Sequence, residues 1–318
     1  MRAAVKGYGY YLPARIVTND ELAGSIDTND EWIVERTGIK QRHIAGEGEF
    51  TSHLGAKAAI NALKNAGLEP NDIDMLILAT TTPDDTMPAT ATKIQQQIGM
   101  TQGSAFDVNA ACSGFVYAMT IADSFIKSGA AKRILVVGAE TFSRILDWKD
   151  RSTCILFGDG AAALVLEASQ EEDKGILFAK IYSDGNHHAI LNTSGGVSST
   201  GTAGYVSMNG KEVFRHAVSK MSDSVLEALA SLNLDVAAID KLIPHQANVR
   251  ILQAVGKRIG LPEEKLVSTV AYNANTSSAS IPLAIAYAAD KGQINPGDLL
   301  VMPALGAGLT WGTCIIRW

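Results

Sequence analysis

The 318-residue sequence predicts an α/β protein built from two related halves. Helix-patterned segments alternate with short apolar runs along the chain, the rhythm of helices packed on a buried sheet. The apolar runs, such as "MLILAT" and "RILVVGAE", are continuous rather than alternating, as expected of strands covered on both faces. Residues 62–77 and 228–243 match at seven of sixteen positions with a constant offset of 166 residues, near half the chain. The halves are expected to divide at 1–172 and 173–318.

In the first half, "TSHLGAKAAINALKNAG" reads as a helix stopped by Gly67 and "DIDMLILAT" as the strand after it. "ATATKIQQQIG" is a second helix, ending at Gly99, "GSAFDVNA" a short strand and "CSGFVYAMTIADSFIKSG" a third helix. "RILVVGAE" and "GAAALVLEAS" follow as strands. The rhythm returns after residue 206 with the helix "EVFRHAVSKMSDSVLEALASL", the strand-to-loop "IDKLIPHQAN" and the helix "VRILQAVGKRIG". It closes with the strand-to-loop "KLVSTVAYNANTSS", the helix "ASIPLAIAYAADKG", and the strands "GDLLVMPAL" and "TWGTCIIRW". Near the N-terminus, "TNDE" has capping-box spacing, with Thr28 at the N-cap and Glu31 three residues on, opening a short helix that ends near Gly38. The Gly/Ser/Thr-rich "TSGGVSSTGTAG" (193–204) fits a flexible linker and a loop bordering a site equally well.

Hydrophobic content of 47% and charged content of 19% are those of a soluble globular protein. No run of apolar residues is long enough for a membrane span. The start, "MRAAVKGYGYYLPARIV", lacks the apolar core and small-residue cleavage site of a signal peptide. Cys112, Cys154 and Cys314 form no CxxC pair, which favours a reducing, cytoplasmic setting. A net charge of −6 argues against general nucleic-acid binding. The six histidines show no metal-ligand spacing with the cysteines, so no metal is expected; His187 and His188 read as solvated loop residues.

Three residues bear chemistry at related positions. Cys112 sits where "DVNA" gives way to a helix, whose unpaired N–H groups and dipole favour a thiolate by about 0.3–1 kcal/mol at an exposed end. His245 follows the strand "DKLIP", and Asn275 precedes the next helix in "YNANTSSAS". By the 166-residue offset, His245 corresponds to the end of "DMLILAT", and Asn275 lies within a few residues of the counterpart of Cys112. The repeat thus groups the three at loops that face one another.

With their surroundings, these residues resemble the β-ketoacyl-acyl-carrier-protein synthase III family, the initiating condensing enzymes of type II fatty-acid synthesis in the thiolase superfamily. The resemblance runs through "TNDEWIVERTGI", "DVNAACSGF", "FGDGAAALVLE", "PHQANVRI", "NTSSASIPLA" and "GAGLTWG", in family order over nearly the whole chain. It implies a duplicated thiolase-like fold of five layers, αβαβα, and a Cys112–His245–Asn275 triad. The implied reaction is a ping-pong, decarboxylating condensation of an acyl-CoA primer, acetyl-CoA first, with malonyl-acyl carrier protein through acyl-Cys112. It needs no cofactor, acyl-CoA being a substrate, and the family implies a homodimer.

The same resemblance implies further roles. The backbone N–H groups of Cys112 and Gly308 would form an oxyanion hole. Trp32 and Arg151 would stack on the CoA adenine, with Thr28 and Arg36 beside the nucleotide. Gly210, Phe214, Ala247 and Asn248 map to the pantetheine channel. Arg215, Arg250, Lys257 and Arg258, with Lys211 as an addition, would dock the acidic acyl carrier protein. Phe157 and Met87 map to the acyl pocket. Acetyl-selective relatives carry a bulky aromatic at position 87 that crosses the dimer interface; flexible Met87 admits longer primers.

Other readings compete. Papain-like hydrolases share the Cys, His, Asn order, but "AACSGF" lacks their C-G-[SA]-C-[WY] signature. Thiolases need a second catalytic cysteine, whereas Cys314 sits in a strand that suits a core role. Elongating condensing enzymes carry His in place of Asn275. Type III polyketide-like chemistry with CoA-bound malonate shares the triad, and a non-catalytic acyl-carrier-binding module would leave Cys112 unreactive. "GAGLTWG" resembles a dinucleotide loop, but a strand follows instead of a helix, so NAD is not expected.

Overall fold

A computed structural model describes residues 1–318. Its first sheet runs in the order Arg2–Tyr11, Gly160–Ser169, Arg133–Glu140, Met75–Ala79, Ser104–Val108. The last three strands are parallel and the first two join antiparallel. The second sheet repeats the pattern with Gly175–Ser183, Thr310–Arg317, Leu299–Gly306 and Lys241–Leu242. The counterpart of Ser104–Val108 is reduced to one parallel bridge, Leu242 to Leu266. This corrects the expectation of a strand over "KLVSTV". The ladder stops because the Thr269 N–H donates to the Gln246 side chain (2.8 Å), and a short helix, Val270–Asn273, follows.

Two helices, Gly114–Lys127 and Ser280–Asp290, lie between the sheets. A core cluster of 28 residues joins them to both, combining Phe115, Met119, Ile281 and Ile285 with Ile77 and Val136 of one sheet and Leu300 and Ile316 of the other. Thr51–Ala66 and Thr90–Gln97 cover the outer face of the first sheet through Ala58, Leu63 and Ile94. Gly210–Ser231 and Val249–Ile259 cover the second through Val225, Ile251 and Val255. The result is the five-layer αβαβα sandwich. Ile77 and Val136 face the inner helices while Leu76, Leu78, Leu135 and Val137 face the outer ones, which is why these strands are apolar at every position. Cys314 is part of the inner core.

The 193–204 segment is the tip of a two-stranded ribbon, Leu191–Thr193 paired with Val206–Met208, rather than a linker between the sheets. No helix is long and apolar enough to cross a membrane.

The inner layer predicts a stability effect. Met119 is 0% exposed and packed between the sheets, so Met119→Ala should lower the unfolding free energy by about 2–5 kcal/mol. Urea unfolding of both proteins measures this, and a loss below about 1 kcal/mol would show that the layer is not close-packed.

Candidate active site

The two inner helices begin at neighbouring turns. Cys112 lies in the one-turn 3₁₀ segment Ala111–Ser113 that precedes Gly114–Lys127, and Ser277–Ala279 stands in the same relation to Ser280–Asp290. The residues that open the turns, Ala111 and Ser277, are 166 positions apart and both adopt positive φ, +48° and +50°. That conformation costs a residue with a Cβ about 1–2 kcal/mol and persists where the surroundings hold it. The end of Leu299–Gly306 supports the Cys112 turn so closely that a Cβ on Gly306 would stand 2.7 Å from the Cys112 nitrogen. The Ser113 hydroxyl meets Thr310 Oγ1 and the Ala110 carbonyl, each at 2.7 Å.

Cys112 therefore stands just before the helix, and it is only 6% exposed. Burial pushes its thiol up to about 12. The helix start favours the thiolate only slightly, and loss of hydration at a buried sulfur outweighs that effect, leaving a neutral thiol.

His245 is buried as well, and that burial lowers its pKa to about 3, so the ring is neutral. Ser280 Oγ lies 2.7 Å from Nδ1 and accepts the Gln246 N–H at 3.2 Å. A Ser280 hydroxyl that donates to Nδ1 places the ring proton on Nε2. Asn275 is pinned by its backbone: its N–H donates to Leu156 O (2.9 Å) and its carbonyl accepts from Gly158 N (3.0 Å). Its Oδ1 accepts the Ser277 N–H at 2.8 Å, leaving the Nδ2 protons for the cavity.

Cys112, His245, Asn275 and Gly308 line one cavity of about 890 Å³. Gly308 has φ +131°, a conformation open to glycine. One wall is apolar, with Ile145, Leu156, Leu191, Val206 and Met208 around a stacked Phe142–Phe157 pair whose centroids are 4.3 Å apart. Gly210, Phe214, Ala247 and Asn248 form another wall, and Arg36, Lys211 and Arg250 are an exposed cationic rim. Asn248 also caps Val249–Ile259, its Oδ1 accepting from Ile251 N at 3.0 Å. No group of three or more His, Cys, Asp or Glu side chains is placed to hold a metal.

Other expected residues lie outside the cavity lining. Trp32 carries two guanidinium groups over its ring, Arg36 at 4.5 Å and Arg151 at 5.2 Å, and Arg151 is tied to Asp27 (3.1 Å). The expected Thr28 cap is corrected: Asn29 caps Asp30–Thr37, accepting from Trp32 N at 2.8 Å, and Thr28 Oγ1 is buried without a partner. Both residue types cap well, and the asparagine side chain starts the helix one residue later. Met87 is 84% exposed and does not touch this chain's own cavity. Arg215 pairs with Glu212 (2.7 Å) and Arg258 with Asp223 (3.0 Å), while Arg250 and Lys257 form no ion pair. His187 and His188 are not simply solvated. A 3₁₀ turn folds them onto the helix Gly210–Ser231, where His187 packs on His216 (4.4 Å) and His188 lines the cavity.

Sequence reasoning missed Ser280, Phe142 and the Leu191 and Met208 walls. The same offset of 166 that grouped the triad pairs Cys112 with Ser278, and so pointed to the turn that carries Ser280.

The chain is similar to known proteins over its whole length. Residues 106–185 match the family model for 3-oxoacyl-[acyl-carrier-protein] synthase III, and residues 229–318 match the model for its C-terminal part. The β-ketoacyl-[acyl-carrier-protein] synthase III of Paramagnetospirillum magneticum is 56% identical over 100% of this chain and 99% of its own length. The crystal structure of 3-oxoacyl-[acyl-carrier-protein] synthase III from Aquifex aeolicus is 44% identical with a TM-score of 0.95, covering 99% of this chain and 100% of that one. The Pseudomonas aeruginosa synthase III structure gives the same identity and TM-score over 100% and 98%.

A neutral Cys112 has a measurable consequence. Far below a pKa of about 12, the thiolate fraction grows about tenfold per pH unit. Iodoacetamide alkylation of Cys112, followed by peptide mass, should rise steadily between about pH 7 and 9. A plateau inside that range would contradict the assignment.

Proposed function

The chain belongs to the β-ketoacyl-[acyl-carrier-protein] synthase III family, and on that premise we propose how its residues initiate fatty-acid synthesis by condensing an acyl primer with malonyl-acyl carrier protein. It is a condensing acyltransferase. In the proposed first half-reaction, the Cys112 sulfur attacks the carbonyl of an acyl-CoA thioester. The new S–C bond replaces the bond to CoA, and the proton from Cys112 ends on the CoA thiol. The backbone N–H groups of Cys112 and Gly308 receive the tetrahedral oxyanion.

Malonyl-acyl carrier protein then loses carbon dioxide, and the electrons of the broken C–C bond form an enolate. Its oxygen accepts from His245 Nε2–H and Asn275 Nδ2–H. The enolate carbon attacks acyl-Cys112, 3-oxoacyl-acyl carrier protein leaves, and the Cys112 sulfur regains a proton from solvent. The neutrality of His245 matters. An imidazolium would pair with the malonyl carboxylate and hold the ground state back, whereas a neutral donor strengthens as charge develops on the enolate. The observation that carries this reading is the convergence of Cys112, an Asn275 amide with its oxygen occupied and a buried His245 ring whose Nδ1 meets the Ser280 hydroxyl. Every step balances without a cofactor.

The cavity supports the assignment of the substrates. Arg36, Trp32 and Arg151 offer cationic and aromatic surface to the CoA nucleotide, with Thr28 beside them, and Gly210, Phe214, Ala247 and Asn248 line the path of pantetheine to Cys112. Phe142 and Phe157 narrow the apolar wall, which favours acetyl-CoA as primer. Met87, exposed in one chain, reaches the acyl pocket of a second copy in the proposed homodimer, and its flexibility admits longer primers. Arg250 and Lys257 carry most of the docking of acidic acyl carrier protein, since Arg215 and Arg258 are engaged by Glu212 and Asp223. The proposed setting is the cytoplasm. Residues 1–172 supply the nucleophile and 173–318 the histidine and asparagine.

Intact mass after mixing with acetyl-CoA tests the first half-reaction: one acetyl adduct is expected on the native chain and none on Cys112→Ser. His245→Ala and Asn275→Ala should still form the adduct yet lose about 10²–10³-fold in carbon dioxide release from malonyl-acyl carrier protein. An undiminished adduct in Cys112→Ser, or full decarboxylation in both donor variants, would overturn the assignment.

A further inference from the structure

Glu140 ends the strand Arg133–Glu140, is 0% exposed and pairs with no cation. Its Oε2 receives Thr82 Oγ1 at 2.6 Å and Thr80 Oγ1 at 3.2 Å, and Thr81 reaches both oxygens through its backbone nitrogen and hydroxyl at 3.0–3.2 Å. Its Oε1 meets Ser278, with Oγ at 2.7 Å and the backbone nitrogen at 3.4 Å.

The repeat explains the placement. Ser278 is the counterpart of Cys112, and Gly306, which backs the Cys112 turn, is the counterpart of Glu140, both at the 166-residue offset. Each turn is therefore buttressed by a strand end from the opposite sheet, one by close backbone contact and the other by a carboxyl group.

Counting protons fixes the state of that carboxyl group. The Ser278 hydroxyl has one proton and lies 2.8 Å from the Ala79 carbonyl, which only accepts. An ionised Glu140 also only accepts, so one of the two short contacts would have no proton. Thr80, Thr81 and Thr82 bond to the carboxyl oxygens and not to the Ser278 hydroxyl, so none of them supplies the missing one. A proton on Oε1 satisfies everything: Glu140 donates to Ser278, and Ser278 donates to Ala79.

We propose that Glu140 is a positioning residue, a neutral carboxylic acid whose proton, given to Ser278, locks the turn that carries the Asn275 amide and the Ser280 hydroxyl. Burial raises its pKa in the same sense. The turn spans Asn275 to Ser280, so locking its middle residue holds the enolate donor Asn275 at one end and the hydroxyl that sets the His245 tautomer at the other. The consequence for turnover rests on the proposed enolate role of His245 and Asn275; the protonation state does not.

Two measurements separate these. The infrared difference spectrum between native protein and Glu140→Gln should show loss of a protonated-carboxyl C=O band at neutral pH; a carboxylate band instead would overturn the proposal whatever the donors do. In kinetics, an amide N–H takes the place of the acid proton in Glu140→Gln, so this variant should keep both half-reactions within about threefold. Glu140→Ala should keep acetyl-adduct formation within about tenfold and lose more than about tenfold in carbon dioxide release. Glu140→Gln as impaired as an Ala variant of native fold, or an Ala variant impaired equally in both half-reactions, would overturn the positioning role. If Glu140→Ala does not fold, the spectrum and the rescue by Glu140→Gln still decide. Full decarboxylation in His245→Ala and Asn275→Ala would refute the parent reading while leaving the Glu140 proton to the spectrum.

Discussion

Each of the two turns at the centre of this protein is held by a strand end from the other sheet, and the active site follows from that exchange. Gly306 presses on the backbone around Cys112, and Glu140 bonds to Ser278. Because the supports cross over, neither turn can shift without disturbing the opposite sheet. The left-handed conformations at Ala111 and Ser277 are the local cost of this arrangement, and the close-packed inner layer of Phe115, Met119 and Ile281 sustains them.

The second organising feature is the absence of ionised side chains at the reacting centre. Cys112 rests as a thiol, His245 as a neutral imidazole, and Glu140 as a neutral acid. Charge arrives with the substrate, as a malonyl carboxylate, and passes to the enolate as neutral carbon dioxide leaves. In such a site, N–H dipoles fixed beforehand by Ser280 and by the Ser277 backbone respond to the enolate without first having to reorganise. The cations stand at the rim, on Arg36, Lys211 and Arg250, where they can meet phosphates and an acidic carrier without biasing the chemistry.

Much of this was legible in the sequence because duplication leaves a numerical trace. The offset that matched residues 62–77 with 228–243 also relates the turns at Cys112 and Ser278, and the continuous apolar strands announced a sheet covered on both faces. What was not legible depends on tertiary partners. The state of Cys112 followed burial rather than its helix, and the Leu266 strand gave way to a Gln246 side chain. Asn29 took the cap from Thr28 within a stretch where either residue type serves. Ser280 and Glu140 looked like an ordinary helix residue and strand end until their partners came from 34 residues or more away in the chain.

The central claim is that His245 acts as a neutral donor whose proton is fixed on Nε2. Nitrogen-15 NMR of ring-labelled protein reads this directly through the one-bond coupling and shift of each ring nitrogen. The account predicts a protonated Nε2 and an unprotonated Nδ1 for His245, unchanged between about pH 5 and 8. A proton on Nδ1, or an imidazolium appearing within that range, would contradict it.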